Sequence, residues 1–132
     1  MWNKTNPMPR NIERRYVQSL EYIIWAVKKK SKWTFNKIKE PYLKPVFEYP
    51  ICMGNERTEH PTQKPIAILK ELLLIHTNEY DNVLDPFIGS GSTAVACELT
   101  NRNCYGCELN KTYFDIANER IKEARYNLFK ED

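Results

Sequence analysis

The chain has 132 residues, with 20 Lys/Arg against 17 Asp/Glu and a net charge of +3, enough for one modest core and no second independent one. No apolar run approaches the roughly twenty residues of a membrane span, and no charged-then-apolar leader is visible, so a cytoplasmic protein with no membrane partner is expected. Charge is uneven: residues 1–44 hold eleven Lys/Arg against three Asp/Glu, and residues 45–132 hold nine against fourteen, so the N-terminal third is expected to face an anionic partner.

Asn6-Pro7-Met8-Pro9 reads as a rigid turn leaving a strand. Arg10 to Leu20 is expected to form a short helix. Glu21 to Lys28, rich in β-branched and aromatic residues, is expected to form a strand, which Lys29 to Lys32 turn back into Trp33 to Asn36 as a β-hairpin. Arg14, Arg15, Lys29, Lys30 and Lys32, interleaved with Tyr16, Trp25, Trp33 and Phe35, are the mixture expected of a surface facing phosphates, although a basic hairpin tip is also a common solvated turn. Residues 37–59 carry Pro41, Pro45, Pro50 and Gly54 without periodicity and read as loop.

From Pro65 to Thr77, Ile68, Leu69, Leu72, Leu73 and Ile75 fall on helical spacing, with Pro65 in the first turn. Val83-Leu84 begins a buried strand, Ser92 to Leu99 a helix, and Asn103 to Glu108 a second strand. The helix from Lys111 carries an apolar stripe of Phe114, Ala117, Ile121, Ala124 and Leu128. Strand and helix alternate, which predicts an α/β fold with a parallel strand-helix unit at its C-terminal end. Cys104-Tyr105-Gly106-Cys107 has C-x-x-C spacing but falls on a strand, where small buried thiols explain it better than a metal or redox site.

The run Asp85-Pro86-Phe87-Ile88-Gly89-Ser90-Gly91-Ser92-Thr93-Ala94 joins the first of these strands to its helix. Gly89 and Gly91 let a ligand approach the backbone, and the helix N-terminus points free N–H groups at the same spot. Glu108, at the end of the next strand, is placed to accept hydrogen bonds from both hydroxyls of a ribose. The glycines alone also satisfy a dinucleotide pattern. Asp85 argues against it: a carboxylate repels a pyrophosphate and attracts a ligand bearing ammonium and sulfonium groups. S-adenosylmethionine is such a ligand.

Asp85-Pro86-Phe87-Ile88-Gly89-Ser90-Gly91-Ser92-Thr93 resembles the cofactor motif of the amino-group DNA methyltransferases, and His60-Pro61-Thr62-Gln63-Lys64-Pro65 is similar to the motif preceding it in their permuted β subgroup. Trp2 to Pro9, Glu21 to Trp25 and Trp33 to Asn36 resemble the segments that follow the catalytic motif of that family. The resemblance implies a single partial Rossmann-like methyltransferase domain with three parts: residues 1–36 as the post-catalytic segment and β-hairpin, 37–59 as a short target-recognition loop, and 60–132 as the cofactor-binding part. It implies a site-specific DNA methyltransferase of a restriction-modification system, directed to adenine, with the exocyclic amine of cytosine as the alternative target.

Under that resemblance His60, Thr62 and Lys64 would meet the methionine end of S-adenosylmethionine, Asp85 and Phe87 would flank it, and Gly89, Ser90 and Gly91 would give it backbone contact. Glu108 would take its ribose. Double-stranded DNA with a flipped base would meet Arg14, Arg15, Lys29, Lys30, Lys32, Phe35 and Asn36. The family's catalytic Asp/Asn/Ser-Pro-Pro-aromatic tetrapeptide is absent from these residues, so the chain looks like a C-terminal part, inactive alone, whose motif a separate chain would supply. A non-catalytic module that holds cofactor or DNA, and a nicotinamide-dinucleotide domain, are the competing readings.

Overall fold

A computed structural model describes residues 1–9, 12–128 and 130. Three short strands form the first sheet: β1 (Trp2–Lys4), β2 (Leu20–Glu21) and β3 (Phe47–Tyr49), in the order β2-β1-β3. β2 runs antiparallel to β1 and β3 parallel to it, with Trp2 opposite Glu21 on one side and Phe47 on the other. Trp2 is buried, and its indole N–H donates to the Tyr49 carbonyl at 2.8 Å, giving the aromatic ring both an apolar seat and a polar partner.

A 3-10 turn at Gly54–Glu56 leads to α1 (Ile66–His76), β4 (Asn82–Asp85), α2 (Ser92–Glu98), β5 (Asn103–Gly106) and α3 (Lys111–Leu128). β4 and β5 are parallel, with Val83 opposite Cys104 and Leu84 opposite Tyr105. α2 packs against both α1 and α3. The core beneath it joins Leu73, Ala96 and Cys97 to Ile66, Leu69, Val83 and Cys104. Because side chains alternate along a strand, Val83 and Cys104 face this core while Leu84 and Tyr105 face outward, 71% and 61% exposed.

From α1 onward the elements fall where the sequence pattern puts them, although β4, expected to be buried, exposes Leu84 and β5 ends at Gly106 rather than Glu108; the N-terminal third departs further. The expected helix over Arg10 to Leu20 is not there. Arg10 and Asn11 lie outside the described residues, Ile12 to Arg15 form only turns and a bend, and β2 begins at Leu20. Ile12 and Tyr16 are exposed, so a short helix here would have no apolar face to bury and would be marginal.

The expected hairpin keeps its reversal and loses its ladder. Ser31 donates through both its N–H and its hydroxyl to the Lys28 carbonyl, and Lys30 takes a left-handed φ of 65°, but strand pairing is confined to Leu20–Glu21. An isolated two-stranded ribbon with both faces exposed is not stable in water. Residues 37–59, read as loop, contain β3. Its three residues are too few for a periodic signal and are held from elsewhere: Tyr49 donates its hydroxyl to the buried Glu71 of α1, which also pairs with Lys39. Burial and the Glu71 carboxylate push the Tyr49 phenol up to about 12.

Asn36 fastens the returning arm to the end of α1. Its side-chain amide donates to the carbonyls of Leu74 and Thr77 at 3.0 Å each, and its own N–H donates to Ile75 O at 2.7 Å. These carbonyls lie at the helix end without a partner inside the helix, and that of Thr77 also accepts from Arg102 at 2.9 Å. Asn36→Ala is expected to lower unfolding free energy by about 1–2 kcal/mol in urea denaturation; an unchanged midpoint would contradict this anchoring role.

Candidate functional site

The site is built at the C-terminal end of β4, where the strand stops at a carboxylate and turns through glycine. The Asp85 carboxylate accepts the Phe87 N–H at 3.0 Å on one oxygen and the Thr93 hydroxyl at 2.6 Å on the other. It thereby closes the turn over Pro86 and ties it to the first turn of α2. Gly91 caps α2 with φ 81°, and Gly89 has φ 55°, a conformation that a side chain rarely adopts. A Cβ at Gly91 would stand 2.8 Å from the Ala117 Cβ and 2.9 Å from its Cα, and one at Gly89 would stand 2.8 Å from His60 Nε2. Gly91 is therefore required by space as well as by angle, while at Gly89 the spatial obstacle is the His60 ring alone.

β5 delivers Glu108 to the same turn. Cys107 N–H donates to Asp85 O, and Ile88 N–H donates to Cys107 O, so the two chains stay joined past the end of the ladder. Glu108 then accepts the Gly89 N–H at 3.0 Å on one carboxylate oxygen and the Asn110 N–H at 2.8 Å on the other. Each oxygen keeps a further lone pair, which is what an adjacent diol requires. The Gly91 N–H donates to Ile88 O at 2.9 Å, so both glycine amides are engaged within the turn. Ser90 is buried, and Phe87 stands 89% exposed on the rim.

His60 carries the upstream motif to the turn. Its ring packs edge-on against Tyr113 of α3 at 4.4 Å between centroids, and its Nδ1 is buried without a hydrogen-bond partner among the described residues. The loop behind it is held by Gln63, which sequence reasoning did not single out. The Gln63 side-chain oxygen accepts from the N–H and hydroxyl of Thr58, both at 2.8 Å, while its NH₂ donates to Glu56 O at 2.6 Å. Glu56 in turn accepts the Ile66 N–H at 2.6 Å and caps α1. Thr62 is exposed.

Lys64 faces the first sheet. Its ammonium lies 3.3 Å from Glu21 of β2, which also pairs with Lys4 at 2.8 Å. Partial burial raises the Glu21 pKa, but the hydrogen bonds and charges of Lys4 and Lys64 outweigh it and hold the carboxyl below its ordinary value. Lys64, Thr62, Lys4 and Glu21 line one cavity of about 980 Å³. The structure thus brings together His60, Asp85, Gly89, Ser90, Gly91 and Glu108, and sets Thr62 and Lys64 beside a carboxylate of β2.

On the basic side, Arg14, Arg15, Lys29, Lys30 and Lys32 are all exposed. Trp25 stacks on His76 at 5.7 Å, and Phe35 packs against both rings at 6.2 and 5.7 Å while remaining half exposed. The Asn36 amide, by contrast, is occupied by α1. Cys104 packs toward Cys97 in the core and Cys107 is exposed; both are free thiols.

A parallel α/β unit with a helix between its strands and a glycine turn at the end of the first strand is the fold of the methyltransferase class. The chain belongs to the N6_N4_Mtase family of DNA methylases, whose model matches residues 1–119.

It is 35% identical over 141 residues to the Type II methyltransferase M.HinfI of Haemophilus influenzae, covering 96% of this chain and 39% of that protein. It is 39% identical over 138 residues to M2.LlaDCHI of Lactococcus lactis subsp. cremoris, covering 96% and 51%. The crystal structure of the M1.HpyAVI–SAM complex superposes with a TM-score of 0.83 at 53% identity, covering 91% of this chain and 59% of that one. The cytosine-N4-specific PvuII DNA methyltransferase, at 16% identity and a TM-score of 0.61, shares the fold. The chain spans about half the length of the relatives it matches, or less.

Gly91→Ala is expected to destabilise the protein by at least about 1–3 kcal/mol, the range for a strained left-handed residue, because its Cβ meets α3 backbone. Urea denaturation at neutral pH measures this, and an alanine variant as stable as the parent would contradict the close approach. A second expectation concerns pH. Glu21, depressed in the folded state, stabilises the link to Lys4 and Lys64 above its unfolded pKa, and that contribution is lost as pH falls through its folded pKa. Glu21→Gln should flatten this acid limb of a stability–pH profile; an unaltered limb would contradict the assignment.

Proposed function

We propose that this chain is the cofactor-holding and DNA-facing part of a Type II DNA amino-methyltransferase that uses S-adenosylmethionine and acts on adenine in the cytoplasm. The observation that carries the reading is the meeting of Asp85 and Glu108 at one glycine turn. Asp85 suits a ligand with a sulfonium and an ammonium and opposes a pyrophosphate, and Asp85-Pro86-Phe87 together with the His60 to Pro65 motif disfavours the nicotinamide alternative. Bound there, S-adenosylmethionine supplies a methyl group on a positively charged sulfur.

The chain's own residues fit that ligand by role. Glu108 retains acceptor capacity for ribose hydroxyls while it fixes the Gly89 amide. Phe87 offers an exposed ring at the rim, while the sides of Gly89 and Gly91 that lack a Cβ are filled by His60 and Ala117. Lys64 already pairs with the Glu21 carboxylate, the chemistry that a methionine carboxylate would present. Arg14, Arg15, Lys29, Lys30 and Lys32 face DNA phosphates, with Phe35 beside them for a base; Asn36 supports this arm from behind.

Catalysis needs more than these residues. Asn6 is unsuited to replace the absent tetrapeptide, because its side-chain carbonyl accepts the Ile51 N–H at 2.7 Å and Met8 and Pro9 follow where a proline and an aromatic ring would stand. The outward face of β4 and β5 supports completion by a further polypeptide, since parallel sheets are ordinarily covered on both faces and Leu84 and Tyr105 are bare.

The test is transfer of labelled methyl from S-adenosylmethionine to duplex DNA by the chain alone and with the unmatched part of M1.HpyAVI supplied as a second polypeptide. Transfer to the N6 position of adenine, only when both are present, is expected. Transfer by the chain alone, or to cytosine, would overturn the corresponding part of the reading. The triple substitution of Lys29, Lys30 and Lys32 by Ala should lower the salt slope of DNA binding by up to about 0.9 for each phosphate no longer neutralised; an unchanged slope would remove this turn from the DNA surface.

A further inference from the structure

α3 meets the glycine turn at two positions one helical turn apart. Ala117 is the residue pressed against Gly91, and Arg120, three residues on and therefore on the same face, reaches across to the neighbouring serines. Arg120 Nη1 donates to the Ser90 carbonyl at 2.6 Å and lies 3.3 Å from the Ser90 hydroxyl and 3.2 Å from that of Ser92. Every hydrogen bond it makes among the described residues goes to this turn. Its Nη2 is buried with no partner among them. Burial pulls its pKa below the ordinary value despite the Glu56 charge nearby, so the guanidinium is held where water would serve it better.

The effect on the turn is specific. The Ser90–Gly91 peptide is pinned at both ends, its carbonyl by Arg120 and its N–H by Ile88 O. The Ile88–Gly89 peptide is likewise pinned, its carbonyl by Gly91 and its N–H by Glu108. Between two fixed planes the Gly89–Ser90 peptide has little freedom, and the Ser90 N–H makes no hydrogen bond among the described residues.

We infer that Arg120 is a positioning residue for the cofactor turn, holding the Ser90 carbonyl back so that the Ser90 N–H stays oriented as a donor to the nucleoside ligand. The inference rests on the cofactor reading above and adds a residue outside both motifs. The residue acts through Ser90 and touches no ligand itself.

Arg120→Met removes the donors and keeps much of the apolar stem; Arg120→Lys keeps the charge. Arg125→Met, at an exposed residue of the same helix paired with Glu98, is the control. Amide resonances of the ligand-free proteins and calorimetric affinity for S-adenosylmethionine are compared. Arg120→Met is expected to displace the Ser90 and Gly91 amide resonances and to weaken binding about tenfold or more, with Arg120→Lys between it and the parent and Arg125→Met unchanged.

A folded Arg120→Met protein with those resonances unmoved, or with affinity within about twofold of the parent, would overturn the inference. If Arg120→Met does not fold, Ser92→Ala, which removes one acceptor, gives the same readout with a smaller displacement expected, and no displacement there would overturn it equally. Displaced resonances in Arg120→Met, where the parent itself binds no S-adenosylmethionine, would uphold the tie between Arg120 and the turn and overturn the cofactor reading.

Discussion

The contact between α3 and the glycine turn, too close for a Cβ at Gly91, is the constraint on which the rest of the site depends. Because Ala117 sits against that glycine, α3 has one depth at which it can pack, and Tyr113, one turn earlier, comes to rest against His60. His60 in turn fills the space that a Cβ at Gly89 would need. Two sequence motifs some twenty residues apart are thereby joined by small-residue packing and one edge-on aromatic contact. Interiors packed at this density transmit small changes in volume directly, so the turn, the helix and the upstream loop behave as one unit.

Around that unit the charges divide the labour. Asp85 and Glu108 each accept two hydrogen bonds from their own surroundings, which fixes them in place. They shape the turn and at the same time supply its negative potential. Glu21 performs the converse task on the first sheet, gathering Lys4 and Lys64. The exposed cations between residues 12 and 32 lie on a segment with almost no ladder of its own, which suits a surface that adapts to a polyanion.

Legibility in the sequence followed how local each determinant is. α1, β4, α2, β5 and α3 were readable because their apolar spacing, Gly89 and Gly91 act within a few residues. β3 was not readable: Phe47 to Tyr49 is a strand because Trp2 accepts it on one side and Glu71 holds Tyr49 on the other. The helix expected after Pro9 failed for the opposite reason, since residues with adequate propensity found nothing to pack against. Glu108 was singled out by its type and its place after β5, and His60 by the resemblance of His60 to Pro65 to a known motif. Gln63 and Arg120 were missed because their value lies in buried hydrogen bonds to distant backbone, and no spacing rule reports such bonds. Asn36 was read as a DNA-facing residue, but its amide is spent on carbonyls at the end of a helix 38 and 41 residues away.

The central claim is that the turn between β4 and α2 is built for S-adenosylmethionine. The most direct measurement is a calorimetric titration of the chain with S-adenosylmethionine, with NAD as the comparison and Asp85→Ala as the variant. Saturable binding of S-adenosylmethionine is expected, with none of NAD, and a weaker association in the variant because an anion facing a cationic ligand has been removed. A cooperatively folded chain that binds NAD in preference, or neither ligand, would contradict it.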